Sequence, residues 1–163
     1  MQKFCTAFML MTDQFPKPEA FEMSDQTVEN VLDTLPPEAQ TVRDFLDASM
    51  KPDPELAATF MSDDVVITFT DGQKYDHPSG TTAFNAARYK WVKKKFGQFD
   101  VAHTNGQTVV YSTGWLYGEW PDGTAFEGNR YVDRFVIENG KIIKMDVWNE
   151  SAERILIRKG IKA

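Results

Sequence analysis

The chain has 163 residues, a length that suits one domain able to bury its own core without disulfide or metal staples. Its 24 acidic residues outnumber 18 basic ones for a net charge of -6, so a polyanion is repelled and nucleic acid is not an expected partner. The single cysteine, Cys5, cannot close an internal disulfide, which points to a reducing, cytoplasmic setting, and no run approaches the roughly 20 apolar residues of a membrane span.

Residues 1–36 read as an extension of the domain. Phe4, Phe8, Phe15, Phe21 and several methionines are punctuated by Pro16, Pro18, Pro36 and Pro37. The stretch Phe4 to Met11 lacks the small-residue cleavage pattern of a signal peptide, and Asp13 soon interrupts it. A short helix is predicted over Asp25 to Leu35, capped by Ser24 or Asp25 and stopped by the two prolines. The apolar residues of this arm are expected to pack on the domain or on a partner subunit.

The domain itself is expected over residues 37–163. Val42, Phe45, Leu46, Ser49 and Met50 recur at helical spacing and predict one core-facing helix. After Lys51-Pro52, Asp53 as cap and Pro54 at the first position restart a short helix, with Leu56, Ala57 and Phe60 on its inner face. Val65, Val66, Ile67 and Phe69 form a strand, and Asp71-Gly72 predicts a two-residue type I′ turn into Gln73 to Asp76. A third helix opens at Gly80 and Thr81 or Thr82 and is predicted to run to about Phe96. It points Phe84, Ala87 and Trp91 inward and ends on Lys93-Lys94-Lys95, where cations complement the helix dipole. Strands follow near Phe99 to Thr104, Thr108 to Trp120, Thr124 to Ile137 and Lys141 to Asn149, joined by Asn105-Gly106, Asp122-Gly123 and Asn139-Gly140. Ser151 caps a last short helix with Ala152, Ile155 and Leu156 toward the sheet.

This order predicts an α+β fold: a curved antiparallel sheet of about four long strands plus a small hairpin, wrapped around three helices and leaving a cone-shaped pocket. No Cys/His cluster has metal-ligand spacing, no Gly-rich loop forms a phosphate cradle, and no Gly-x-Ser-x-Gly elbow appears, so neither metal nor cofactor is expected. In Asp76-His77-Pro78, His77 either shuttles a proton at the cavity mouth or forms a local hydrogen-bonded pair.

The segment Asn129 to Glu150 (NRYVDRFVIENGKIIKMDVWNE) resembles the last two strands of the SnoaL-like branch of the nuclear transport factor 2 superfamily. Phe60-Met-Ser-Asp-Asp-Val-Val66 resembles the same family's junction between second helix and first strand. The resemblance implies that Asn129, Tyr131, Asp133 and Phe135 look into the pocket while Arg130, Val132 and Arg134 look out. It places Phe45 and Phe69 where steroid isomerases of the superfamily carry a tyrosine and the carboxylate base, which argues against that chemistry. The Asp-Arg-Asp triad of limonene-type epoxide hydrolases falls near Thr113 and Trp115 and on Val147, and so is missing.

Two functions follow. In the first, the pocket is a cofactor-free acid/base enzyme of isomerase, dehydratase or cyclase type for a small apolar or aromatic molecule. Asp133, Tyr131 and His77 are its catalytic candidates, and Asn129, Phe135, Trp115, Tyr117, Phe45, Phe69, Met145, Val147 and Asn149 form its walls. In the second, the domain is a non-catalytic binding or dimerisation module, and Asp133 merely pairs with an arginine or caps a backbone amide. On the last strand Trp148 points outward, and the resemblance implies a homodimer through that outer sheet face.

Overall fold

A computed structural model of the chain describes residues 35–51 and 53–161. The helix expected over Asp25 to Leu35 falls outside these residues apart from Leu35, which packs against the core. Helix α1 (Pro37–Ser49) starts on a proline, which loses no hydrogen bond at a first-turn position, and buries Ala39, Val42, Phe45 and Leu46. Helix α2 (Pro54–Ala58) is capped by Asp53, whose carboxylate accepts from the Leu56 amide at 3.0 Å.

The remaining elements are β1 (Met61–Thr68), β2 (Lys74–Tyr75), α3 (Pro78–Arg88), β3 (Trp91–Thr104), β4 (Gln107–Glu119), β5 (Ala125–Glu138), β6 (Lys141–Asn149) and α4 (Ser151–Arg158). All six strands join one sheet in the order β2-β1-β6-β5-β4-β3. The fold is the expected α+β cone, with two differences in the sheet. The small β1–β2 hairpin is the edge of the main sheet, and β1 runs parallel to β6, so the sheet is mixed. Helix α3 supplies part of the crossover that hairpins alone cannot make. Register shifts at Phe96/Gln98, Leu116/Gly118 and Val136/Ile137 give the bulges that bend long strands.

The four predicted turns divide by chemistry. Asn105 and Asn139 take positive φ beside Gly106 and Gly140, the two left-handed residues that a type I′ hairpin requires. Asp71 and Asp122 do not. Their carboxylates instead accept from Gln73 and Thr124 amides at 3.0 Å, and the Gly72 and Gly123 amides reach back to the Phe69 and Trp120 carbonyls. Both are three-residue turns closed by a left-handed glycine, so the Asp71-Gly72 prediction was right in place and wrong in type.

The largest correction concerns helix α3, which stops at Arg88 instead of running to Phe96. Tyr89 is extended, and the Lys90 amide donates to the Glu119 carbonyl, starting the β3–β4 ladder. From Trp91 to Phe96 exposure alternates residue by residue. Lys93-Lys94-Lys95 is therefore strand, not a solvated helix end, and Lys94 shares the inner face with Val92 and Phe96. Glu150 rather than Ser151 is the N-cap of α4, and Ser151 is fully buried in its first turn. Phe45, Leu46, Val110, Phe135, Ile142 and Met145 form the centre of the core between α1 and the sheet.

Candidate functional site

Asn129, Tyr131, Asp133 and Phe135 are all buried on the inner face of β5, while Arg130 is exposed and Val132 and Arg134 are half-buried on the other. Directly opposite on β4 lie Leu116, Gly114, Ser112 and Val110, so the inner face of β4 carries even-numbered residues. Tyr111, Thr113, Trp115 and Tyr117 therefore face outward, which removes Trp115 and Tyr117 from the expected pocket wall. Parity within one strand says nothing about the face its neighbour turns inward, so the expectation for Trp115 and Tyr117 had no local basis.

Asp133 is completely buried and its Oδ2 receives the ammonium of Lys94, a side chain only 15 % exposed. The same ammonium lies 4.0 Å from the centre of the Tyr131 ring. The Tyr131 hydroxyl is 3.0 Å from Ser112 Oγ. Gly114 makes this arrangement possible: a Cβ there would stand 3.0 Å from the Tyr131 ring and 2.2 Å from the Lys95 carbonyl. Among the described residues, Asp133 Oδ1 is buried with no hydrogen-bond partner.

Burial pushes the Asp133 carboxyl up from its ordinary value, and the Lys94 charge and hydrogen bond pull it back. Burial likewise raises the Tyr131 hydroxyl, opposed by the Ser112 hydrogen bond, so Tyr131 is a neutral donor at any physiological pH. A carboxylate with one free oxygen, a buried ammonium and a neutral phenol are the parts of an acid/base site. The partner of Asp133 is a lysine, not the arginine or amide weighed from the sequence. Lys94 and Ser112 were missed; the signal for Lys94 was the inward alternation of Val92, Lys94 and Phe96.

A cavity of about 340 Å³ opens between α1, α2, α3 and the start of β3. Phe45, Ser49, Met50, Phe69, Val92 and Met145 are among its walls, so three of the expected pocket residues are brought together there. Asp133 and Tyr131 lie outside that wall. Lys94 connects the two: its amide meets the Met50 sulfur at 3.1 Å, next to Val92 on the wall, and its ammonium reaches Asp133. Phe135 packs edge-on against Phe45 at 5.8 Å and Val147 is buried, so both act as core.

Asn129 donates to Ser151 Oγ at 3.3 Å, Tyr89 donates to the same oxygen at 2.6 Å, and Asn149 Oδ1 accepts from the Ser151 amide at 3.0 Å. Asn129, Asn149 and Ser151 fasten α4 to the sheet rather than line the cavity, and Tyr89 does both. His77 is not gathered with Asp133 and Tyr131. It is the N-cap of α3, with Nδ1 accepting from the Ser79 amide at 3.2 Å and Nε2 standing 3.8 Å from Glu55. Among the described residues no cluster of His, Cys, Asp or Glu has the geometry of a metal site. No helix among them is long and apolar enough to cross a membrane.

Comparison with known proteins places this geometry in context. A model of the SnoaL-like domain family matches residues 42–145. Among solved structures, a nuclear transport factor 2-like protein of unknown function from Burkholderia pseudomallei has a TM-score of 0.59 at 19% identity, over 74% of this chain and 96% of that one. TerC, co-crystallised with polyporic acid, gives 0.59 at 17% identity over 76% and 99%. A proposed SnoaL-like polyketide cyclase from Jannaschia gives 0.57 at 16% identity over 74% and 90%. No curated protein matches the chain by sequence.

Proposed function

Because this chain belongs to the SnoaL-like domain family, we propose that it binds a small, largely apolar molecule in the cavity beside α1 and α3, and that the molecule reaches Asp133 and Tyr131, which lie behind the cavity wall, past the Lys94 side chain and undergoes acid/base chemistry there. The observation that carries the reading is the free, buried Oδ1 of Asp133. A structural ion pair in an apolar core costs desolvation unless its remaining lone pairs are satisfied. A ligand hydroxyl or an acidic C–H brought against Oδ1 satisfies it. Asp133 takes the proton, Lys94 offsets the charge, and Tyr131 donates to the oxygen that becomes negative. The co-crystallisation of TerC with polyporic acid and the cyclase name of the Jannaschia protein support a ligand and an isomerase- or cyclase-type reaction of this kind.

Exchange of the α-protons of β-tetralone in deuterated water, followed by NMR, tests the base. Exchange is expected with the native chain and is expected to fall by about 10²- to 10⁴-fold in Asp133→Asn, the share that a positioned base contributes. Anilinonaphthalene sulfonate fluorescence, expected to be enhanced by the native protein and not by Ala86→Trp, which fills the cavity, tests binding separately. Binding without exchange would favour the non-catalytic module. The exposed Trp148, Trp115 and Tyr117 on the outer sheet face support a homodimer through that surface.

A further inference from the structure

A second concavity, about 720 Å³, lies on the other side of α3 from the cavity described above, between α3, the β4–β5 turn and α4. Its floor is apolar, with Phe84, Trp120 and Ile155, and its rim carries Arg88, Arg158 and Lys159 against one acid, Asp122. Arg158 is held by Asp122 at 2.6 Å and Arg88 lies over the Phe84 ring at 4.7 Å. Among the described residues Lys159 has no ion-pair partner. Helix α4 is strongly amphipathic, yet Ser151 alone is buried on it, and Ile155, Arg158 and Lys159 are the residues it turns to the groove. An apolar floor with a cationic margin calls for an acidic segment carrying large apolar side chains.

The chain has such a segment outside the described residues. Phe15, Phe21 and Met23 are interleaved with Asp13, Glu19, Glu22 and Asp25, against the single cation Lys17. Leu35 is anchored on the core, and the nine residues 26–34 between it and this segment span roughly 30 Å when extended and roughly 14 Å as the helix expected there.

We infer that residues 13–25 seat in the groove between α3 and α4 of their own chain, with Phe21 over the Trp120–Ile155 floor and Glu19 or Glu22 against Lys159. The arm then bridges α3 and α4 across the Ile155, Arg158 and Lys159 face of α4.

Zero-length carbodiimide cross-linking of the full chain, mixed with an isotopically heavy copy and read by peptide mass spectrometry, tests this. The expected product is an amide between Glu19 or Glu22 and Lys159 within peptides of uniform isotope. Phe21→Asp, which keeps both glutamates, is expected to lower its yield about tenfold, the loss of roughly 1.4 kcal/mol of apolar burial. Amides joining heavy and light peptides would assign the groove to a second copy and overturn the inference. So would the absence of any Lys159 link to residues 13–25, or a yield unmoved by Phe21→Asp.

Discussion

Lys94→Met removes the ammonium from Asp133 while keeping an unbranched apolar stem of similar length. The buried carboxylate then has no charge partner, and breaking one side of a buried pair costs about 3–5 kcal/mol. Protonation sets the ceiling on that cost. From an unfolded value of 3.8, holding the proton costs about 1.4 kcal/mol per pH unit, or about 4.4 kcal/mol at pH 7 and about 1.6 kcal/mol at pH 5.

The sign follows from the direction of the shift. Asp133 already titrates above its ordinary value when folded, so its contribution is fully present below pH 3.8 and is lost as pH rises through the folded value. Without Lys94 the folded value climbs further, and the loss extends to neutral pH. Urea unfolding followed by tryptophan fluorescence at pH 5, 6 and 7 should therefore show a deficit that grows with pH, against a shallower trend in the native chain. Lys94→Met combined with Asp133→Leu removes both charges and should recover most of the stability with a flat pH response. A Lys94→Met deficit under about 1 kcal/mol, or one equal at pH 5 and pH 7, would refute a buried, mutually dependent pair.

Three other outcomes are expected. His77→Ala should lose the α3 cap and about 1 kcal/mol in urea unfolding while leaving β-tetralone exchange unchanged, since His77 stands apart from Asp133. Gly114→Ala should destabilise by more than about 2 kcal/mol in the same assay, because φ is +153° and the new Cβ would stand 2.2 Å from the Lys95 carbonyl, a backbone atom that cannot swing aside. Trp148→Glu should halve the mass seen by sedimentation if the outer sheet face joins two copies, and leave the unfolding midpoint of the separated chain nearly unaltered.

Much of the architecture is local and so was legible. The α1 stripe, the Asp53 cap, the Asn-Gly turns and the grouping of Asn129, Tyr131, Asp133 and Phe135 on one face of β5 each depend on residues within a few positions of one another. The face that Trp115 and Tyr117 occupy on β4 was not legible in this way. The Lys93-Lys94-Lys95 run shows where local reading fails: three consecutive charges mask a period of two, and helix and strand are then decided by whether a partner strand is there to take the backbone.

From the amino-acid order alone come the α+β class, the order of elements, the position of the turns and the shared face of Tyr131 and Asp133, because propensity, capping and side-chain period act over short range, whereas the inward direction of that face is what the family resemblance implied. Which face of β4 is buried, that β1 lies parallel to β6, and that Lys94 neutralises Asp133 across 39 positions of sequence were decided only by the assembled sheet. Strand register and burial are set by contacts between segments far apart in the chain, and a carboxylate's partner is whichever charge the closed core leaves beside it.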